Sequence, residues 1–194
     1  MNKLLKVFQL KVSLRGSSPL IWRRVQVFED IPLVYLHRVV QIVMGWDDSH
    51  LHEFHIAGEE YGVPNREFDF DGSVLDERKV SLGELVSRVR TKFQYIYDFG
   101  DNWTHDVVLE RILPADPEVK CPVCLAGERN GPPEDVGGIW GYADFLEALA
   151  DPEHERHEEQ LKWSGPFEPD KFSLEEVNVK LRRTFRVRKT AAKR

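Results

Sequence analysis

Four short stretches hold the residue types that do chemistry. YDFGDNWTHDVVLE (97–110) gathers Asp98, Asp101, Asn102, Trp103, His105 and Asp106. HLHEFHI (50–56) brings His50, His52 and His55 into six residues. Cys121-Pro122-Val123-Cys124 supplies the two cysteines, and Pro132-Pro133-Glu134-Asp135-Val136-Gly137-Gly138 joins paired carboxylates to paired glycines.

Two thiolates two residues apart suit half of a tetrahedral zinc site, with Zn–S near 2.3 Å. His154 and His157, nearly on one helical face, are candidates to complete it; His50 and His52 are the alternative. The plain reading leaves Cys121 and Cys124 as unligated thiols. Redox use would want a strand before the pair and a helix starting at it, but a Pro-rich segment precedes and Gly127 follows. A loop runs into a strand around Leu51 to Ile56, and alternation along it puts His50, His52 and Phe54 on one face. Two histidines there suit a metal, yet hydrolysis also needs a third ligand and a placed base, with Asp47, Asp48 and Glu53 near. H-E-x-x-H is absent. A strand edge with solvated or packed histidines is the plain alternative.

In the proline–glycine stretch, rigid backbone precedes permissive backbone, a design suited to a binding loop. Adjacent Glu134 and Asp135 on an extended chain point apart, so joint chelation requires a turn between them. Capping of backbone amides, or pairing with Arg129, is the other use for one of these carboxylates.

The elements that must position these groups are legible in part. Around Asp101, Phe93, Tyr95, Tyr97 and Phe99 alternate on one side, and Trp103, His105, Val107 and Leu109 on the other. A three-residue loop, Gly100-Asp101-Asn102, pairs Phe99 with Trp103 and Tyr97 with His105, so aromatics meet aromatics. Asn102 tolerates the left-handed backbone such a loop needs. The cluster is then first a hairpin over 93–110, with Asp98 and His105 on opposite faces and His105 a core imidazole. Asp98, Asp101 and Trp103 join Glu134, Asp135, Gly137 and Gly138 as binding-loop candidates.

Elsewhere, Phe8, Leu10, Val12 and Leu14 alternate as a first strand, and Ile21 to Phe28 as a second. Asp30 and Pro32 open a helix whose Leu33, Leu36, Val39, Val40 and Val43 share a face, and Gly45 ends it. Residues 59–79 read as an irregular excursion. Ser81 with Glu84 is a capping box opening a short helix through Val89. Residues 121–142 read as a long Pro/Gly-rich loop. Helices follow at 142–150 and from Pro152 or Glu153 to Leu161 or Trp163. A last one opens at the Ser173/Glu176 capping box, with Leu174, Val177 and Leu181 inward. Strands early and helices late predict an α+β fold: an antiparallel or mixed sheet, helices packed on one side and a helical C-terminal part.

Hydrophobic residues make up 41% of the 194 and charged residues 31%, as in globular chains. No apolar run nears the roughly 18 residues that span a bilayer, and Lys6, Gln9 and Lys11 interrupt any signal-like core. The expectation is a cytoplasmic protein without membrane contact, in keeping with one Cys-x-x-Cys pair. Residues 182–194 carry seven basic groups and no acid, so the formal charge of −6 resolves into +7 there and −13 before it. The division expected is one α+β domain over 1–181 and a flexible basic tail, Arg182–Arg194, able to contact an acidic surface. An acidic body repels a phosphate backbone.

Several of these stretches also resemble a known family. The 97–110 hairpin, WDDSHLHEF, the segment from Cys121 through EHERHEE and the closing FEPDKFSLEEVNVKLR are similar to the Ri-plasmid ORF-three-like family, over roughly Phe8 to Leu181. The resemblance implies an α+β fold and a setting among TnpR-type passenger proteins of insertion elements, sometimes called resolvase-like. It implies no established activity. Recombinase chemistry needs a nucleophilic Ser or Tyr among arginines, and Arg15, Arg23 and Arg24 have no such companion. Two functions stay open: a non-enzymatic binding module for a protein or nucleic-acid partner, and a metal-dependent hydrolase or nuclease drawing on His50, His52, Asp98, Asp101 and Glu134, with zinc as the possible cofactor.

Overall fold

The computed structural model describes residues 5–64, 72–115 and 120–185. Most of the basic tail, residues 186–194, lies outside them, as do residues 65–71 of the 59–79 stretch. Among the described residues the strands are β1 (Lys6–Leu14), β2 (Trp22–Phe28), β3 (His52–Ile56), β4 (Glu59–Gly62), β5 (Leu75–Asp76), β6 (Lys92–Tyr97), β7 (Trp103–Pro114) and β8 (Val123–Glu128). They form one mixed sheet in the order β5-β4-β3-β6-β7-β1-β2-β8, antiparallel except for β4 with β5. The helices are α1 (Leu33–Met44), α2 (Leu82–Leu85), α3 (Gly138–Ala150), α4 (His157–Ser164) and α5 (Leu174–Thr184). This is the α+β arrangement that the order of strands and helices predicts.

Period-two burial builds the sheet. Leu10, Val12, Leu14, Val25, Val27, Tyr95, Tyr97, Val107 and Leu109 are buried on one face, each such side chain worth roughly 1.5–3 kcal/mol. The opposite face is polar. There Arg24 donates twice to the Glu110 carboxylate, at 2.6 and 2.9 Å, and Gln9 donates to the same carboxylate at 2.9 Å. Helix α1 lays Leu33, Leu36, Val39, Val40 and Val43 into the core. It ends where Gly45 takes φ 93° and returns its N–H to Gln41 O at 2.9 Å, a conformation costly for any residue with a Cβ.

Some expectations change. The 59–79 stretch is not simply irregular, because β4, β5 and a 3-10 turn (Glu77–Lys79) occupy its described parts. The Ser81/Glu84 capping box is present, but α2 stops at Leu85 instead of Val89. Residues 121–142 hide β8, which among the described residues is an edge strand pairing only with β2. Its Gly127 breaks the apolar pattern for a packing reason: a Cβ there would lie 2.8 Å from both Arg23 Cδ and the Phe172 ring. Helix α3 starts at Gly138, ahead of Tyr142, and α4 at His157. Ser173 caps α5 as the capping box predicts, yet Leu174 is exposed and only Leu181 is buried, Val177 being intermediate.

The hairpin register slips by two. Tyr97 pairs with Trp103, Tyr95 with His105 and Phe93 with Val107, so the loop spans residues 98–102. A two-residue slip preserves side-chain parity, which is why the aromatic row still faces inward. The cause lies at Asp98. Its N–H is drawn to Leu51 O (2.8 Å), and its backbone turns left-handed (φ 58°). Its Oδ1 then accepts from Gly100 N at 2.9 Å. Phe99, expected in the core, is thereby thrown outward to 49% exposure, and Asp98 is buried in its place. Asn102 does adopt φ 54°.

Candidate functional site

Three loops meet at one end of β6 and β7: residues 45–51 after α1, residues 98–102 at the hairpin tip, and residues 129–137 before α3. Their docking is built into the sequence. Trp46 Nε1 donates to Pro132 O at 2.9 Å, and its ring stacks on Tyr97 at 5.0 Å. A Cβ at Gly131 would lie 2.0 Å from Met44 O, and one at Gly138 would lie 2.5 Å from Asp101 O, so only glycine permits either approach. Asp101 Oδ2 meanwhile accepts from Gly137 N at 3.1 Å. Asp101, Gly137 and Gly138 therefore join the loops together.

Asp98, Glu134 and Asp135 converge on His50. Its Nε2 lies 3.2 Å from Asp135 Oδ1, 3.3 Å from Glu134 Oε2 and 3.8 Å from Asp98 Oδ2. Asp135 has φ 58°, the turn that joint use of two adjacent carboxylates requires. Glu134 also accepts from Asp47 N (2.8 Å) and from the Tyr97 hydroxyl (3.0 Å), which itself accepts from Ser49 N at 3.0 Å. Burial first, and Glu134 in addition, push Tyr97 well above the ordinary phenol range, so it stays a donor. Arg129 pairs with Asp170 instead of Glu134. Among the described residues no lysine or arginine pairs with Asp98, Glu134 or Asp135. Donor atoms of His50, Asp98 and Asp135 all lie within 4.8 Å of one another, a spacing that admits one metal ion.

The His50/His52 pair expected from strand alternation does not form. His50 precedes β3 and faces the loops, whereas His52 turns to a second cluster beneath them. There His52 and His37 stack with ring centroids 3.4 Å apart and planes 5° from parallel. His52 Nε2 lies 2.9 Å from Glu77 Oε2, and His37 Nε2 lies 2.7 Å from Asp48 Oδ1. A carboxylate only accepts, so His37 Nε2 carries the proton and its Nδ1 accepts from the Tyr95 hydroxyl at 2.7 Å. Gln41 closes the ring, donating to Tyr95 (2.8 Å) and accepting from Asp48 N (3.1 Å). Burial, with His52 next, lowers His37 to about 4. Donor atoms of His37, Asp48 and His52 also lie within 4.8 Å. Parallel stacked rings, however, aim their in-plane lone pairs past any shared point, and each Nε2 already has a carboxylate. Both imidazoles are thus already paired within the protein.

His105 is fully buried beside Tyr95, its Nδ1 3.3 Å from Tyr95 O, and burial lowers it to about 4. It is a core imidazole. No hydrogen bond or ion pair joins it to Asp98 among the described residues. Trp103 is 1% exposed and packs on Trp46, so as a binding-loop residue it acts only from within. Cys121 and Cys124 are not brought together with His154 and His157. Cys124 is buried in β8, burial pushes Cys121 up to about 12, and His157 Nδ1 is taken by Ala148 O at 2.8 Å. Neither cysteine belongs to a three-donor group among the described residues. Sequence reasoning missed His37, Gln41 and Glu77. The signal was available for two of them: His37 and Gln41 are polar residues on the core stripe of α1.

The chain is similar to proteins already known. The plasmid pRiA4b ORF-3-like protein family matches residues 6–176. The uncharacterized protein y4hQ of Sinorhizobium fredii (strain NBRC 101917 / NGR234) is 47% identical over 165 residues, 84% of each chain. The crystal structure of MM3350 from Methanosarcina mazei Go1, a protein of unknown function, superposes with a TM-score of 0.82 at 40% identity. That match covers 90% of this chain and 99% of the other. No helix among the described residues is long and apolar enough to cross a membrane. With the family matched over most of its length, the chain belongs to the plasmid pRiA4b ORF-3-like proteins.

Proposed function

We propose that this protein is a binding module whose recognition centre is a divalent-cation site formed by His50, Asp98 and Asp135, with Glu134 alongside. One observation carries the reading: three carboxylates from two loops face a single imidazole, with no lysine or arginine among the described residues to balance them. Two charges at the 4.8 Å limit repel by about 3 kcal/mol at an effective dielectric near 20. Water screens part of that repulsion, since the Asp135 side chain is 71% exposed. A dication reverses its sign. One imidazole among carboxylate oxygens suits Mn²⁺, Fe²⁺ or Zn²⁺ better than an all-oxygen cage would.

Coordination positions left open toward solvent would take an acidic side chain or phosphate of the partner. Phe99 and Trp140, 49% and 82% exposed, stand next to the site in sequence and offer apolar contact. The same ligands with an open position are also what a hydrolase or nuclease would use.

The test is calorimetric titration of chelator-treated protein with Mn²⁺ and Zn²⁺. One equivalent should bind, and His50→Ala or Asp98→Asn should weaken it roughly tenfold or more, as loss of a ligand does. Cys121→Ser should leave it unchanged. Absence of binding, or binding indifferent to His50→Ala, overturns the site. Turnover of a phosphodiester by the metal-loaded protein, lost in Asp98→Asn, would replace the module with the hydrolase.

A further inference from the structure

A second site lies away from the loop cluster. Arg23, the second residue of β2, is 1% exposed, a rare position for a guanidinium. Its Nε donates to Val43 O at 2.6 Å, and its Nη1 donates to Trp22 O at 2.8 Å and Glu128 O at 2.7 Å. Phe172 covers it at 4.3 Å, over the space Gly127 leaves free. These carbonyls, with the C-terminal end of α1, satisfy N–H groups but bring no unit negative charge. Among the described residues no carboxylate pairs with Arg23. Burial lowers it to about 10, so it remains a cation at neutral pH. A buried charge without a counter-charge is costly.

Arg23 also lines a half-open cavity of about 250 Å³. Lys171, Lys180, Asn130 and Ser173 contribute to the wall, as do the apolar Ile42, Val43, Met44, Phe172 and Val177. One acid, Glu176, also lines it. Ser173 caps the eleven-residue α5, so the positive end of that helix opens at the same wall. Lys180 has no ion-pair partner among the described residues, while Lys171 is held 3.2 Å from Glu168.

We infer that this cavity binds a small organic anion, a phosphate or carboxylate group on a compact apolar body, with Arg23 supplying the buried charge and Lys180 the charge at the rim. The volume holds a head group and a ring-sized body. The apolar wall formed by Ile42, Val177 and Phe172 favours such a ligand over the bare inorganic ion. The site shares no residue with the cation site and stands or falls separately from it.

Phenyl phosphate is the probe, titrated into the full chain and followed by amide chemical shifts and calorimetry, with phenol and inorganic phosphate alongside. Saturable binding of phenyl phosphate is expected, weakened by salt. Lys180→Gln should raise Kd roughly three- to tenfold. Val177→Phe, which fills the cavity without touching charge, should abolish saturation, and Asp98→Asn should bind as the parent does. Arg23→Met removes a buried helix contact and can fail to fold, which is why the rim and filling variants carry the decision. Absence of saturable binding, phenol binding as tightly as phenyl phosphate, or Val177→Phe binding like the parent each overturns the inference.

Discussion

His50 and His52 stand two residues apart and end in opposite situations. His52 faces one carboxylate, Glu77, while its stacking partner His37 faces one, Asp48. His50 faces three. One-to-one pairing makes a closed network in which each imidazole has its own carboxylate. Three acids against one imidazole, at a junction of loops open to solvent, make a set that an added cation would complete. Proximity of donor atoms alone does not separate the two clusters, since both fall within 4.8 Å. Ring orientation and the count of charges do.

The largest expected effect of that difference is on stability. Glu77 is fully buried, one oxygen bonded to His52 and the other, Oε1, without a hydrogen-bond partner among the described residues. Glu77→Ala should therefore cost about 3 kcal/mol or more, because it strands the His52 N–H inside and opens a hole. Denaturant unfolding checks it. A loss below about 1 kcal/mol would mean the buried network holds little of the fold, and the contrast with the loop cluster would weaken.

Acid should reach the interior through its buried imidazoles. His37 and His105 are both lowered to about 4 in the folded protein, chiefly by burial, against about 6.5 when unfolded. The unfolded chain then binds protons first as pH falls. Stability is intact above about pH 6.5 and is lost progressively toward pH 4, by up to about 2 kcal/mol per residue at pH 5. Unfolding midpoints of metal-free protein at pH 7 and pH 5 measure this. His105→Gln should reduce the slope, and a slope unchanged by it would remove His105 from the account.

The sequence showed the sheet and α1 because period-two and helical spacing report burial directly. It also showed that Asp98, Glu134 and Asp135 sit on backbone-fixing loops, through the glycines and prolines beside them. It did not show that His50 would complete that set. Membership depended on Asp98 turning left-handed and on β3 starting at His52, not at Leu51, both settled by long-range pairing of Leu51 O with the hairpin tip. Glu77 was invisible for a related reason. A charged residue in a polar stretch carries no local mark of burial, which arises only when the 3-10 turn folds under β3. Trp103 erred the other way, its place in an acidic turn suggesting display when cross-strand pairing with Tyr97 takes it inside.

The smallest effect separates the clusters most cleanly, because its sign is opposite. Asp135 is mostly exposed and touches only His50 among the described charged groups. Asp135→Asn removes one of three like charges from the loop site and disturbs no buried contact. Metal-free stability should stay within about 0.5 kcal/mol of the parent and lean upward, whereas every carboxylate lost from the buried network lowers it. The same variant should bind Mn²⁺ more weakly, as loss of one ligand charge requires. Unfolding and titration on one preparation read both. If Asp135→Asn instead destabilised the metal-free protein by a kilocalorie or more, that carboxylate would be a structural partner of His50, and the loop site would be a second closed network like the first.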